Sequence, residues 1–438
     1  MRPELAGARA LVVGLGRAGR AAAGFLARAG AEVTGFDDDP KKAAAARLPG
    51  MSRPARRGDW SFAVVSPGIR DAHPLLCGLR RAGVPVFDEL DFAAAFLPGP
   101  LVAVTGTNGK STTAALIAAM FRAAGRRVFL GGNLAPGRPL SAALSGPPRD
   151  WYVAEVSSFQ LERARSLRPA VAVLTNITPD HLDRHRSLER YARCKYRLFA
   201  RQRGADRAVL NLDDPLAVAA AAVGRAGREF FTLGRGQADA RVERGRLVAH
   251  GCAILPVKEI RLPGRHNLAN ALAACCAVLP AGVPPAAAAR VLREFAGLPH
   301  RLEPVAVRRG ARWVNNSMCT NPAAGARSLE AFGRPVVLIT GGREKGLPRA
   351  DYLAAVARHA RRAVLTGENA ELLAAGLAAL GYRRFEVRPG LREAVAAAAR
   401  RARPGETVLY SPAFASFDQF PDFQARGRAF RREVARVR

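Results

Sequence analysis

Residues 101–113 read LVAVTGTNGKSTT, and this stretch decides the fold. The apolar residues 101–104 suit a buried parallel strand, Gly106 and Gly109 open the backbone, and from Ser111 onward Leu116, Ala119 and Met120 share one helical face. Strand, phosphate loop and helix follow in that order. In such a loop the backbone N–H groups of Gly106, Thr107, Asn108, Gly109 and Thr112 and the positive end of the helix surround a polyphosphate. Lys110 reaches the terminal phosphates, and the Ser111 hydroxyl ligates magnesium. The common pattern has a glycine where this chain has Val104, so the loop is the shorter variant G-x-x-G-K-S. A mere Gly-rich turn would leave the ordered lysine and hydroxyl unexplained.

Toward the N-terminus, a strand at residues 10–13 precedes Gly14-Leu15-Gly16-Arg17-Ala18-Gly19 and a helix to about residue 29. A second strand, 32–36, ends at Asp37, which completes a dinucleotide fingerprint. Leu15, Gly16 and Asp37 are its candidate nucleotide contacts. Taken alone, the fingerprint suits a nicotinamide dehydrogenase as well as a doubly wound domain for another nucleotide. Another strand ends at Val65, with Gly68 in the turn on the same carboxyl edge, and Leu97-Pro98-Gly99-Pro100 reads as a linker.

Toward the C-terminus, a strand at 152–156 carries Glu155, and a strand at 170–174 delivers Thr175-Asn176-Ile177-Thr178-Pro179-Asp180-His181-Leu182-Asp183. Acid and imidazole groups at strand ends beside a phosphate loop suit magnesium, which takes oxygen ligands together with substrate phosphates. The plainer local reading makes Asp180 a helix cap and His181 a surface residue. Lys195 falls in a helical run, residues 191–197, and Asn267 and Asn270 fall at the start of an alanine-rich helix.

A chain of 438 residues has room for two to four domains. No run of 18 apolar residues appears and residues 1–7 lack the apolar region of a signal peptide, so a soluble, cytoplasmic protein with no membrane insertion is expected. Six cysteines without C-x-x-C spacing indicate reduced thiols and neither a disulfide framework nor a zinc site. The net charge of +32 would suit nucleic acid, but the arginines are spread through the chain without a basic tail or aromatic stripe, so no nucleic-acid partner is expected. Only six lysines remain, and Lys110, Lys195 and Lys345 all lie in motifs. Lysine is retained where a primary amine is needed.

TGTNGKST, TNITPDHLDRH, GRHNLANALAA and LPHR occur in the order and spacing of the Mur ligase family, which this chain resembles over essentially its whole length. The run from Ser411 to Phe420, continuing to Phe423 and Arg426-Gly427, is similar to the member that adds glutamate to UDP-N-acetylmuramoyl-L-alanine. The resemblance implies an α/β fold of three domains. A Rossmann-like domain at 1–98 would bind the uridine substrate, a P-loop ATPase-like parallel sheet at 99–298 would bind ATP, and a Rossmann-like domain at 299–438 would bind glutamate. It implies ATP-dependent ligation through an acyl phosphate in peptidoglycan precursor synthesis, by a monomer.

By the same resemblance, two magnesium ions would lie near Ser111, Glu155, His181 and Lys195, the last carbamylated by carbon dioxide. Lys110, His181 and Lys195 would be the catalytic groups. Asn133 would join Leu15, Gly16, Asp37 and Gly68 on the acyl substrate. Asn267, Asn270, Arg301 and Asn316 would contact ATP, and Thr320, Lys345, Ser416, Phe417 and Phe423 the glutamate. One loop departs from the family: where many relatives read Asp-Ser-Lys-x-Thr-Asn, this chain has Asn316-Ser317-Met318-Cys319-Thr320-Asn321. D-glutamate is the expected amino acid, with L-glutamate and a degenerate, non-enzymatic relative as the alternatives. A folate polyglutamylating enzyme would share the ATP loop and leave Gly14–Gly19 without a purpose.

Overall fold

The computed structural model describes residues 2–50, 58–134, 137–234, 236–332 and 334–437. The chain divides into two compact units, Met1–Phe295 and Ala296–Arg438.

In the first unit a four-stranded parallel sheet runs in the order Glu32–Phe36, Arg9–Val13, Phe62–Val65, Val86–Asp88. A nine-stranded sheet follows. Its order is Cys252–Pro256, Arg246–Ala249, Ala240–Glu243, Gly227–Phe231, Arg207–Asn211, Val171–Leu174, Leu101–Thr105, Trp151–Glu155, Val128–Gly132. All its pairings are parallel except the two that form the meander at 240–256. Leu101–Thr105 lies between two parallel neighbours and is buried at every position, as expected of a strand covered on both faces. Helices Lys110–Ala123 and Arg265–Val278 pack on one face, where Ile117, Phe121, Leu272 and Cys276 share a core. Tyr152, Leu161, Tyr191 and Phe199 fill the other face.

Register places the chemistry. Glu155 lies level with Val104 on one side and Gly132 on the other, and Thr105 pairs with Leu174. The loop after Thr105, Asn133, Glu155 and Thr175 therefore emerge from one carboxyl edge, where ligands of open α/β sheets bind.

The second unit is a six-stranded sheet ordered Glu303–Arg308, Ala311–Asn315, Thr407–Tyr410, Val336–Thr340, Ala360–Thr366, Phe385–Arg388. Only the hairpin of its first two strands is antiparallel. Leu338, Leu365 and Leu409 face one core, and Val337, Val364 and Val408 the other.

The strand expected at 32–36 has those bounds. The helix carrying Lys195 starts earlier than its apolar pattern suggests, at Leu188, because the Ser187 hydroxyl caps it by accepting from the Arg190 amide at 3.2 Å. All six cysteines are free, and four of them, Cys194, Cys275, Cys276 and Cys319, are buried. No helix among the described residues is long and apolar enough to cross a membrane.

Candidate active site

Gly106 has φ +146° and Gly109 φ +84°. A Cβ at Gly106 would lie 2.0 Å from Thr175 Oγ1, and one at Gly109 2.2 Å from Asn270 Oδ1, so neither position admits a side chain. Two loop amides are already engaged: Thr107 donates to the Asn176 carbonyl at 2.8 Å and Asn108 to Asn176 Oδ1 at 2.9 Å. Thr107 Oγ1 donates to the Thr178 carbonyl at 3.1 Å, and Thr175 Oγ1 to the Asn108 carbonyl at 2.6 Å. The loop is thus held open by the segment after strand Val171–Leu174. No side chain caps helix Lys110–Ala123 at Gly109. Its first-turn amides, including Ser111 and Thr112, form the positive end at which an anion can sit.

Ser111 Oγ donates to Glu155 Oε2 at 2.5 Å, and Asn133 Nδ2 donates to Glu155 Oε1 at 2.9 Å. Ser111 and Glu155 are both buried. Lys110 Nζ donates to the Gly106 carbonyl at 3.0 Å and to the Thr107 carbonyl at 2.7 Å. Lys195 Nζ donates to the same Gly106 carbonyl at 2.8 Å and lies 4.4 Å from the centre of the Tyr191 ring. Lys195 is only 1% exposed, and burial, reinforced by Lys110, lowers its pKa to about 7. The neutral amine is then abundant near neutral pH.

Among the described residues His181 shares no hydrogen bond with Lys110, Ser111, Glu155 or Lys195. Its backbone has φ +53°, its Nε2 is 3.7 Å from Asp180 Oδ2, and its ring lies 4.9 Å from that of Phe159. It half-exposes its imidazole and is itself the N-cap of helix Leu182–His185, so Asp180 is not that helix's cap. His185, which sequence reasoning passed over, is buried, meets Ser158 Oγ at 3.0 Å and has its pKa lowered by burial. Asn270 Oδ1 accepts from Thr113 Oγ1 at 3.3 Å, which ties the alanine-rich helix to the helix after the loop. Asn267 Nδ2 donates to the Pro263 carbonyl at 2.7 Å.

In the N-terminal sheet the Asp37 carboxylate turns inward. Oδ2 accepts from the Leu15 amide at 2.6 Å and Oδ1 from the Asp39 amide at 2.9 Å, so it shapes the glycine loop from within. Cβ atoms at Gly16 and Gly68 would meet nothing within 4 Å, so both turns face open space.

In the second unit Asn316 is buried and makes three side-chain hydrogen bonds. Its Nδ2 donates to Ser328 Oγ at 2.9 Å and Ser411 Oγ at 3.1 Å, and its Oδ1 accepts from the Leu302 amide at 3.2 Å. The expected ribose contact would have to compete with these bonds, whereas the Leu302 bond fixes the backbone beside Arg301. Lys345 Nζ donates to the Thr320 carbonyl at 3.2 Å. Desolvation, with Arg426 as the second cause, lowers its pKa. Arg426, which sequence reasoning did not single out, is buried and donates to Ser317 Oγ, the Ser317 carbonyl and the Phe414 carbonyl. Among the described residues neither Lys345 nor Arg426 has a carboxylate partner. Ser416 is buried, Phe423 opens helix Phe423–Ala435, and Phe417 is 61% exposed.

This arrangement can be set beside known proteins. The Mur ligase middle domain matches residues 104–278, and the Mur ligase, glutamate ligase domain matches residues 300–414. The chain belongs to the Mur ligase family. It is 42% identical to the UDP-N-acetylmuramoylalanine--D-glutamate ligase of Pelotomaculum thermopropionicum, over 97% of both chains. It is 43% identical to the ligase of that name from Anaeromyxobacter dehalogenans, over 98% of both. Among solved structures, the UDP-N-acetylmuramate-alanine ligase of Thermotoga maritima aligns over 98% of this chain and 100% of its own, with a TM-score of 0.60 and 20% identity. At that identity the likeness bears on the fold.

For a member of the Mur ligase family, the Ser111–Glu155 pair fits magnesium: a hydroxyl and a carboxylate, both hard oxygen donors, lie together at the phosphate-binding helix end. Lys195 offers no lone pair when protonated and only a nitrogen when neutral, whereas magnesium takes oxygen ligands, so Lys195 would join that set only with an oxygen-bearing group on its nitrogen. Among the described residues, the one group of three His, Cys, Asp or Glu side chains close enough to share an ion is Glu229, His250 and Cys276. Arg207 already engages Glu229 at 3.2 Å and the Cys276 carbonyl meets His250 Nε2 at 3.0 Å, so the Glu229 and His250 side chains have partners without an ion.

Proposed function

We propose that this chain is an ATP-dependent ligase that joins D-glutamate to the carboxylate of UDP-N-acetylmuramoyl-L-alanine, in the cytoplasmic synthesis of peptidoglycan precursor, acting as a monomer. The observation that carries the reading is the convergence of Lys110, Lys195 and the Ser111–Glu155 pair at the mouth of one glycine loop. Such a set offsets the repulsion between a triphosphate and a carboxylate, which is the electrostatic obstacle to the reaction.

Residues 1–98 take the uridine nucleotide at the turns holding Leu15, Gly16 and Gly68, with Asp37 shaping the loop. Residues 99–298 take ATP on the loop 106–112, with Asn267 and Asn270 at its flank. Residues 299–438 take glutamate with Thr320, Lys345, Ser416, Phe417 and Phe423, and Arg301 serves ATP. Asn316 acts there through the backbone of Leu302.

The substrate carboxylate attacks the γ-phosphorus, the bond to the bridging oxygen breaks, and ADP leaves an acyl phosphate. The glutamate amine then attacks the carbonyl carbon; the carbon–oxygen bond to phosphate breaks and the nitrogen loses a proton. Lys110 offsets charge on the transferred group, while Asn133 holds the acyl end. Magnesium, when bound at Ser111 and Glu155, supplies charge neutralisation at the phosphates. Lys195, as a neutral amine, would add carbon dioxide and release a proton, and the resulting carbamate would, with His181, supply donors for a second ion.

Mass spectrometry of the product tests the reading. Incubation with ATP, magnesium, UDP-N-acetylmuramoyl-L-alanine and D-glutamate is expected to give the glutamyl adduct, and omission of any one component is expected to abolish it. Product with L-glutamate alone would replace the amino acid, and no product with either enantiomer would refute the ligase reading.

A further inference from the structure

Arg163 lies just beyond the short helix Ser158–Leu161, which leaves the strand bearing Glu155 through a capping box of Ser157 and Gln160. Its side chain is buried, and every partner of its guanidinium lies in the strand Val86–Asp88 or the turn after strand Phe62–Val65 of the N-terminal sheet. Nη1 donates to the Ile69 carbonyl at 2.7 Å and to Asp71 Oδ1 at 3.2 Å. Nη2 donates to the Ser66 carbonyl at 3.3 Å, and Nε and Nη2 reach Asp88 Oδ2 at 3.3 and 3.2 Å. A guanidinium has five N–H donors, and here all five are used.

The two carbonyls bracket the turn that contains Gly68. That turn is tied in its own right to the glycine loop, because Ser66 Oγ donates to the Gly14 carbonyl at 2.7 Å. A Cβ at Gly14 would lie 2.9 Å from Ser66 Cβ, so the two turns are in close contact. Asp88, buried beneath the guanidinium, also caps helix Glu89–Phe96 by accepting from the Leu90 amide at 3.1 Å. One side chain from the ATP-binding segment thus fixes the two turns at the carboxyl edge of the first sheet. The connection runs from Glu155 through the capping box to Arg163, then to the Ser66–Ile69 turn and the loop at Gly14.

We propose that Arg163 is a positioning residue for the uridine end of the substrate: it holds the Ser66–Ile69 turn, and through Ser66 the Gly14 loop, in register with the strand that carries Glu155. The assignment rests on the reading that these turns take the UDP moiety. Arg163 touches no reacting atom, and its loss loosens one substrate site while sparing the other. A lysine would keep a cation over Asp88 but lacks the planar fork that reaches both carbonyls.

The test uses the full-length protein, wild type and Arg163→Lys, with steady-state kinetics for both substrates and calorimetric binding of UDP-N-acetylmuramoyl-L-alanine without ATP. In Arg163→Lys, KM and Kd for the UDP substrate are expected to rise about tenfold or more, while KM for ATP stays within about twofold; loss of hydrogen bonds from a charged donor supports a change of that order. Asp71→Ala, which removes a half-exposed partner and leaves Asp88 paired, is expected to give a smaller rise in the same constant alone. Unchanged affinity for the UDP substrate in Arg163→Lys, or an equal loss for both substrates, would overturn the assignment while leaving the ligase reading intact. A wild type that fails to bind the UDP substrate would overturn both.

Discussion

Lys110 and Lys195, 85 positions apart in the chain, donate to the same oxygen, the carbonyl of Gly106, at 3.0 and 2.8 Å. Two ammonium groups so placed repel each other, and the buried one yields: the pKa of Lys195 is lowered to about 7 by desolvation first and by Lys110 second. The pair divides the work of the site. On the proposed reading Lys110 serves the phosphates, and Lys195 presents an amine that can react. Arginine could serve the first purpose but not the second, in keeping with a lysine in a chain that uses arginine nearly everywhere else.

The stability of the protein should carry the signature of that amine. Between pH 7 and the unfolded value near 10.5, the unfolded chain binds more protons at Lys195 than the native one, so native stability rises with pH across that window. Below pH 7 both states are protonated and the cost of the buried charge, on the order of a few kcal/mol, is fully present. Lys195→Met escapes that cost. Urea unfolding in buffer free of carbon dioxide should show the variant's advantage over wild type greatest at pH 6–7 and shrinking toward pH 10. A pH-independent difference would contradict it.

Glu155→Gln keeps an acceptor for the Ser111 hydroxyl and removes the charge. Turnover is expected to fall on the order of a hundredfold, with half-activation moved to higher magnesium, because the carboxylate's part in holding the ion is lost. The unfolding midpoint should move little. A magnesium titration of initial rates decides it, and an unchanged half-activation point would remove Glu155 from the ion site.

Gly109→Ala and Gly125→Ala form a matched pair. Both positions have positive φ, +84° and +78°, so each variant carries the left-handed strain of about 1–2 kcal/mol. Only at Gly109 does the new methyl also collide, 2.2 Å from Asn270 Oδ1, whereas Gly125 has nothing within 4 Å. ATP affinity, read by a fluorescent analogue, should collapse in Gly109→Ala and persist in Gly125→Ala. Equal affinities would mean that the loop does not hold the nucleotide.

Asn316→Ala removes a buried amide with three partners and should destabilise the protein by about 2–3 kcal/mol, leaving the Leu302 amide and two serine hydroxyls short of bonds. The change in KM for ATP should be modest. A large rise in that constant with undiminished stability would make Asn316 a direct ribose ligand.

What the sequence disclosed, and what it withheld, follow from the range of the interactions. The strand at 101–105, the glycines after it and Lys110 could be read because apolar runs, positive φ and a helix start are local properties of consecutive residues. The pairing of Ser111 with Glu155 could only be expected by resemblance, since it depends on the register that sets Glu155 beside Val104. Arg163 was illegible, and Arg426 was read only as part of a motif and given no role: among so many arginines, nothing local distinguishes a buried fork with several carbonyl partners from a solvated cation. The inward-facing Asp37 and the hydrogen-bonded Asn316 likewise needed coordinates, because a side chain's partners, and not its type, decide whether it remains available to a ligand.

The central claim, transfer of a phosphoryl group from ATP on the loop at Lys110 to a substrate carboxylate, is tested most directly by oxygen tracing. UDP-N-acetylmuramoyl-L-alanine labelled with oxygen-18 in its carboxylate is incubated with ATP, magnesium and D-glutamate, and the released phosphate is analysed by mass. One labelled oxygen per phosphate is predicted, because the carboxylate oxygen that bonded phosphorus leaves with it. Amide product accompanied by unlabelled phosphate, the lost carboxylate oxygen appearing in AMP or water, would contradict the account.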